Sequence, residues 1–156
     1  MAKYHMPSKA VRELGFRSKL EVIVNQQIVE AGIAFSYEGP LNKIKYLKPV
    51  TYHKYLADFL LANGILIEAK GRFDVEDRKK HQLIKHQHPH LDIRFLFSNA
   101  DNKLRKGSNT TYAHWCKKNG FLWADKTIPQ EWFDFKRDPR DLAKIIQTLK
   151  EMNNVK

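Results

Sequence analysis

The stretch DFLLANGILIEAK, residues 58–70, decides how the rest of the chain folds. Two apolar runs flank Ala62, Asn63 and Gly64, the clearest hairpin signal in the sequence. Side chains alternate along a strand, so Glu68 and Lys70 leave one face while Ile67 and Ala69 point the other way, into the core. Whether Asp58 joins the two charged residues depends on the turn. A two-residue Asn63-Gly64 turn pairs Asp58 with Ala69 and sends its carboxylate to the opposite face. A three-residue Ala62-Asn63-Gly64 loop pairs Asp58 with Glu68 instead. Glycine fits the last, left-handed position of that loop, so the three-residue register is predicted.

In that register two carboxylates and an ammonium converge at the open end of the hairpin. Charged groups ending an apolar strand are costly to bury unless something solvates or pairs them. Oxygen ligands of this kind suit Mg²⁺, with Mn²⁺ as a substitute, because these ions keep several waters and take few protein carboxylates. Asp58 and Glu68 would be ligands, and the main-chain carbonyl of Ala69 can add another. Such a metal polarises a phosphate, generates a hydroxide nucleophile and stabilises the leaving oxygen. Lys70 would position or deprotonate the attacking water, or neutralise charge in the transition state. A solvated hairpin end with an incidental ion pair explains the same spacing. Glu21 is also ambiguous: it lies three after Ser18, the spacing of a capping box, so a plain helix-start role accounts for it.

Working outward, Ser18 to Ala31 reads as a helix with a stripe of Leu20, Ile23, Val24 and Ile28, ended by Gly32. Residues 33–57 are punctuated by Pro40 and Pro49, and only Ile44 to Leu47 suggests an extended segment. Asp74 to His88 reads as a strongly basic helix stopped by Pro89, and Asp92 to Ser98 as a buried strand. A helix near 110–118 is closed by Gly120, and the tail opens a last helix with Asp138 as cap and Pro139 at the first position. The expectation is one α/β domain with a mixed sheet, over residues 18–133. It is preceded by a basic arm at 1–17 and followed by a helical tail at 134–156, packed on or near the body.

The 156 residues carry 28 Lys and Arg against 17 Asp and Glu, a net charge of +11 that favours a polyanionic partner. Apolar residues at 42% exclude a disordered chain. The single cysteine, Cys116, excludes an internal disulfide and a cysteine-based zinc cage, and fits a reducing, cytoplasmic setting. The opening residues MAKYHMPSKAVRELGFRS hold no apolar signal region, and no apolar run is long enough for a membrane span, so no membrane partner is expected. His86, His88 and His90 alternate, but Pro89 breaks the element, which favours surface histidines. Trp115, Trp123 and Trp132 are expected in core or dimer packing.

Asp58 with Glu68-Ala69-Lys70 resembles the PD-(D/E)XK nuclease motif. Longer segments are similar to the endonuclease I family of T-seven-type bacteriophages: FRSKLE at 16–21, DFLLANG at 58–64, EAKG at 68–71, DRKKH at 77–81, HPHLDIRFLFS at 88–98, KLRKGS at 103–108 and ADKTIPQEW at 124–132. The resemblance implies a restriction-endonuclease-like α/β core and resolution of Holliday junctions and other branched DNA by paired nicks. It also implies an intertwined, segment-exchanged homodimer. Glu21, Asp58, Glu68 and Lys70 would then be catalytic, Glu21 coming from one protomer and the other three from its partner, with Glu21 joining Asp58, Glu68 and Ala69 at the metal. Arg72, Arg78, Lys79, Lys80 and His81 would hold phosphates near the scissile bond, Arg17 and Lys19 would flank Glu21 on the backbone, and Lys103, Arg105 and Lys106 would reach another arm. A charge run on a helix is equally read as a solvated face. Alternatives are a relative that cuts or nicks ordinary duplex, and a noncatalytic junction-binding protein. The chain departs from the family pattern at Ala57, where a proline is expected, across 39–52, and in the tail after 133.

Overall fold

Polar caps mark where the helices begin. Ser18 caps α1 (Lys19–Glu30) and Asp74 caps α2 (Val75–Gln87), each accepting from backbone N–H groups of the first turn. Thr111 does the same for α3 (Tyr112–Lys118). A short α4 (Gln130–Phe133) precedes α5 (Pro139–Asn153), where Asp138 Oδ1 accepts from Arg140 N at 2.8 Å. The strands are β1 (Phe35–Tyr37), β2 (Lys43–Lys48), β3 (Thr51–Leu56), β4 (Phe59–Leu61), β5 (Ile65–Lys70), β6 (Asp92–Phe97) and β7 (Leu122–Asp125). The computed structural model describes residues 11–12, 14–48 and 51–153, so most of the basic arm, Pro49 and the last three residues lie outside the described residues.

Gly64 adopts φ +82°, and its N–H donates to Leu61 O at 2.9 Å. Phe59 therefore faces Ile67 and Leu60 faces Leu66, the three-residue register. The same register, carried one residue further, sets Asp58 opposite Glu68. The main sheet runs β1-β4-β5-β6-β7, with antiparallel pairs β1–β4 and β4–β5 and parallel pairs β5–β6 and β6–β7. It is a mixed sheet with helices on both faces, as the sequence suggested. Residues 33–57, where only Ile44 to Leu47 suggested an extended segment, supply β1 and a separate two-stranded hairpin of β2 and β3.

Both faces of the sheet are packed, not one. Leu60, Leu66, Ile93, Phe95 and Phe97 meet Ile84 of α2, Trp115 and Cys116 of α3, Ile145 and Leu149 of α5, and Ile44, Tyr46 and Tyr55 of the small hairpin. Phe59, Leu61, Ile65, Ile67 and Leu96 meet Val24 and Ile28 of α1, with Ile128 and Trp132 closing that layer. The face that carries Glu68 is thus a core face as well, which corrects the simple split of charged and core sides. Trp115 and Trp132 are buried as expected, but Trp123 lies exposed on β7, the edge strand. Val11 at the end of the arm is buried. No helix among the described residues is long and apolar enough to cross a membrane.

Candidate active site

Asp58 ends the β3–β4 connection and is held from both sides. Asn42, fully buried, donates to the carbonyls of Ala57 and Asp58 at 3.1 Å each, and Glu38 N donates to Asp58 O at 3.0 Å. Ala57 N donates to Asn42 O at 3.0 Å, a bond that the proline expected at this position could not make. Alanine therefore replaces ring rigidity with a hydrogen bond. The Asp58 side chain crosses to the neighbouring strand, where Oδ2 accepts from Ala69 N at 2.8 Å.

Glu68 is only 3% exposed, and both of its oxygens are engaged. Oε1 lies 2.9 Å from Lys70 Nζ, and Oε2 accepts from the buried phenol of Tyr55. Lys70 Nζ also reaches Asp77 Oδ1 of α2 at 3.3 Å, which Lys80 Nζ shares at 3.0 Å. Burial drives the Asp58 carboxyl up to about 8, with the charge of Glu68 adding to it and the Ala69 N–H only partly offsetting both. Burial pulls Lys70 down, but Glu68, Asp77 and Asp58 outweigh it and hold the ammonium above its usual value. Lys70 is thus held as an ammonium between Glu68 and Asp77. Burial likewise raises Asp77, yet Lys70 and Lys80 prevail and keep its carboxylate below the usual range.

Glu21 approaches from the other layer, at the first turn of α1, and is 7% exposed. Its Oε1 accepts from Ser18 Oγ at 2.8 Å, and Oε2 accepts from Arg17 N at 2.8 Å and from the Tyr37 phenol at 2.6 Å. Ser18 Oγ in turn accepts from Glu21 N at 3.2 Å, so the capping role is real, with Arg17 N as the reciprocal donor. Glu21 is near enough that its charge helps raise Asp58. Burial, then Glu21, keep the Tyr37 phenol well above its usual pKa, and burial, then Glu68, do the same for Tyr55.

The chain thus gathers Asp58, Glu68, Ala69 and Lys70, while Glu21 is held by its own cap. Among the described residues no three His, Cys, Asp or Glu side chains form a ready-made metal cage. The donor chemistry still suits a hard divalent cation. Two facing carboxylates, one held protonated up to about 8 by burial and then by the charge of the other, are what such an ion would neutralise.

The basic positions divide. Lys19, Arg72, Lys103, Arg105 and Lys106 are exposed. Arg17 pairs with Glu38 at 2.8 Å and Lys79 with Glu76 at 3.3 Å, both on the surface. Arg78 donates to Phe73 O at 2.6 Å, and Lys80 lies over the Tyr55 ring at 4.8 Å. His81 cannot meet DNA directly: it is fully buried among the rings of Tyr55, Phe73, Phe95 and Phe121. The helical period, not the linear charge run, turns it inward with Ile84. Its Nδ1 lies 2.8 Å from Asp77 O, and a carbonyl only accepts, so Nδ1 carries the proton. Tyr37, Tyr55 and Asp77 were not singled out by the sequence reading. The two tyrosines meet their carboxylates across sequence gaps of 16 and 13 residues, which no local pattern signals.

A mixed sheet with two carboxylates and a lysine at the open end of its central hairpin is the arrangement that the PD-(D/E)XK resemblance calls for. The chain matches the phage endonuclease I family over residues 1–153, and it belongs to that family. It is 50% identical over 126 residues to the Endonuclease I of Escherichia phage T7, covering 80% of this chain and 83% of that protein. It is 55% identical over 114 residues to the Endodeoxyribonuclease 1 of Enterobacteria phage T3, covering 73% and 74% respectively.

Proposed function

We propose that the chain is a DNA endonuclease that resolves four-way junctions and other branched DNA by metal-assisted hydrolysis of phosphodiesters. The observation that carries this reading is Asp58 set opposite Glu68, with Lys70 Nζ 2.9 Å from Glu68 Oε1, in a member of the phage endonuclease I family. Asp58, Glu68, the Ala69 carbonyl and Glu21 would hold Mg²⁺, or Mn²⁺ in its place. The bound ion would supply Lewis-acid polarisation of the phosphate and an activated water. Lys70, anchored by Glu68 and Asp77, would meet the charge that grows on the phosphate oxygens. Lys19, Arg72, Lys103, Arg105 and Lys106 are free to hold the backbones of the junction arms.

The same reading makes the protein a homodimer working in the host-cell cytoplasm, with Glu21 supplied across the interface. Opening the β2–β3 hairpin would exchange α1 and β1 between protomers. Mixing Glu21→Gln with Asp58→Asn protomers tests this directly. Composite sites regain nicking in the heterodimer, because one site inherits both intact carboxylates. Sites built within one chain stay dead.

Substrate and metal are tested by cutting a labelled four-way junction beside matched linear duplex, with Mg²⁺ or EDTA, using the wild type and Lys70→Ala. Paired nicking of the junction alone, lost in EDTA and in the variant, is the expected result. Equal cutting of duplex would make the chain a general nuclease, and tight binding without any cutting a scaffold.

A further inference from the structure

Each glutamate assigned to the candidate site carries its own tyrosine, whereas Asp58 is held by the Ala69 N–H. Tyr55, 5% exposed on β3, donates its phenol to Glu68 Oε2, while Lys70 occupies the other oxygen. Tyr37 on β1 donates to Glu21 Oε2 at 2.6 Å, an oxygen that Arg17 N also meets at 2.8 Å, while Ser18 donates to the other. Neither phenol is shared with another acceptor in the hydrogen bonds of the described residues. Packing fixes both rings: Tyr55 stands edge-on to His81 at 5.0 Å, and Tyr37 is wedged between Phe16 at 4.7 Å and Phe59 at 5.0 Å. A rigid ring with one donor at its tip sets the direction in which the carboxylate's remaining lone pairs point.

Resting on the nuclease reading above, we propose that Tyr55 and Tyr37 are positioning residues that orient Glu68 and Glu21 toward a shared divalent cation. Three features of the geometry set them apart from ordinary packing. The acceptor is in each case a nearly buried carboxylate, at 3% and 7% exposure, whose anion needs donors to persist. Each phenol occupies one lone pair; with the other donors in place, Glu68 keeps about two for a metal and Glu21 about one, on Oε1. Each pair also lies within one unit of chain, Glu21 with Tyr37 ahead of β2 and Tyr55 with Glu68 after it. Exchange of the first unit between protomers would therefore carry each carboxylate together with its tyrosine.

The experiment compares wild type, Tyr55→Phe, Tyr37→Phe, Glu68→Gln and the Tyr55→Phe/Glu68→Gln double variant. Mn²⁺ affinity of the DNA-free protein is read by calorimetry, junction binding in EDTA, and junction nicking in Mg²⁺. Loss of an outer partner of a metal ligand typically costs about 10–100-fold in metal affinity or activity. Tyr55→Phe and Tyr37→Phe are expected to weaken Mn²⁺ binding and slow nicking by about tenfold or more, with junction binding in EDTA within about twofold of wild type. Tyr55→Phe is expected to add no further loss of Mn²⁺ affinity in the Glu68→Gln background, because the phenol acts only through that carboxylate. Phe variants with wild-type Mn²⁺ affinity and rate, beside a defective Glu68→Gln, would overturn the proposal and leave the nuclease reading intact. Losing junction binding together with metal affinity, or an undiminished Tyr55→Phe effect without Glu68, would show a structural role and overturn it too. A Glu68→Gln protein that nicks like wild type would instead sink the underlying reading, and the proposal with it.

Discussion

Two side chains tie this protein's stability to pH in opposite directions. In Asp58 burial and the charge of Glu68 disfavour the ionised form, so the folded protein keeps a proton up to about 8 that the unfolded chain has released. Folded protein binds more protons than unfolded between an unfolded value of about 3.9 and a folded value of about 8, so stability of the metal-free protein falls as pH rises through that window. Allowing for partial solvent access, the decline is roughly 3 kcal/mol. Asp58→Asn is expected to flatten it, raising the unfolding midpoint above neutral pH while abolishing cleavage. Mg²⁺ should raise the wild-type midpoint most at high pH and leave the variant unmoved, which thermal scans in Mg²⁺ and in EDTA would reveal. An unchanged pH profile in Asp58→Asn would contradict the assignment. His81 behaves the other way. Its burial holds the ring neutral down to about 4, whereas the unfolded imidazole takes up a proton near about 6.5. Stability therefore drops as pH falls from about 6.5 to about 4, by about 3 kcal/mol. The His81 Nε2 has no hydrogen-bond partner, so His81→Phe sacrifices only the bond to Asp77 O. Acid unfolding followed by circular dichroism should show a shallower decline in that variant. Part of the acid sensitivity will remain, because Arg94 and Arg137 outweigh burial and hold Asp92 below the usual carboxylate range.

At the scale of elements, the hairpin register rests on one glycine. Gly64 holds φ +82°, and a Cβ added there would lie 3.0 Å from Leu142 Cδ1 and 3.3 Å from Arg137 Nε. Gly64→Ala therefore meets a backbone penalty and a steric one, together about 1–3 kcal/mol, readable as a lower urea midpoint. A midpoint equal to wild type would mean that the loop can be rebuilt without the left-handed residue. This element was legible because turn chemistry is local: Ala62, Asn63 and Gly64 alone select the register that puts Asp58 opposite Glu68. The caps Ser18 and Asp138 were legible for the same reason. The β2–β3 hairpin, β7 and α4 were not. Leu122-Trp-Ala-Asp125 is an edge strand whose pairing is decided by β6, and Gln130–Phe133 is a single turn set by tertiary contacts. His81 shows the complementary error, since a run of charges reads as a surface until the helix phase is known. The tyrosines of the site stayed hidden because their partners sit on other elements.

For the whole molecule, the surplus of +11 matters only through charges still free to meet phosphate. Each phosphate neutralised releases condensed counterions, so log affinity falls with log salt by about 0.9 per contact on duplex arms. Lys103, Arg105 and Lys106 lie exposed on one loop, between β6 and α3. Lys80 is as basic in sequence but is already engaged, with Asp77 Oδ1 at 3.0 Å and the Tyr55 ring at 4.8 Å. Its charge is largely balanced before DNA arrives. Junction binding measured in EDTA across a salt series should separate the two cases. Replacing Lys103, Arg105 and Lys106 together by Ala is expected to reduce the slope by roughly 2–3. Lys80→Ala should leave the slope near the wild-type value. A triple variant with an unaltered slope would place the junction arms on another face and turn attention to Lys19 and Arg72, the exposed cations on either side of the carboxylates. A steep loss for Lys80→Ala would mean that DNA displaces Asp77 from it, freeing Lys70 from the same carboxylate as the junction docks.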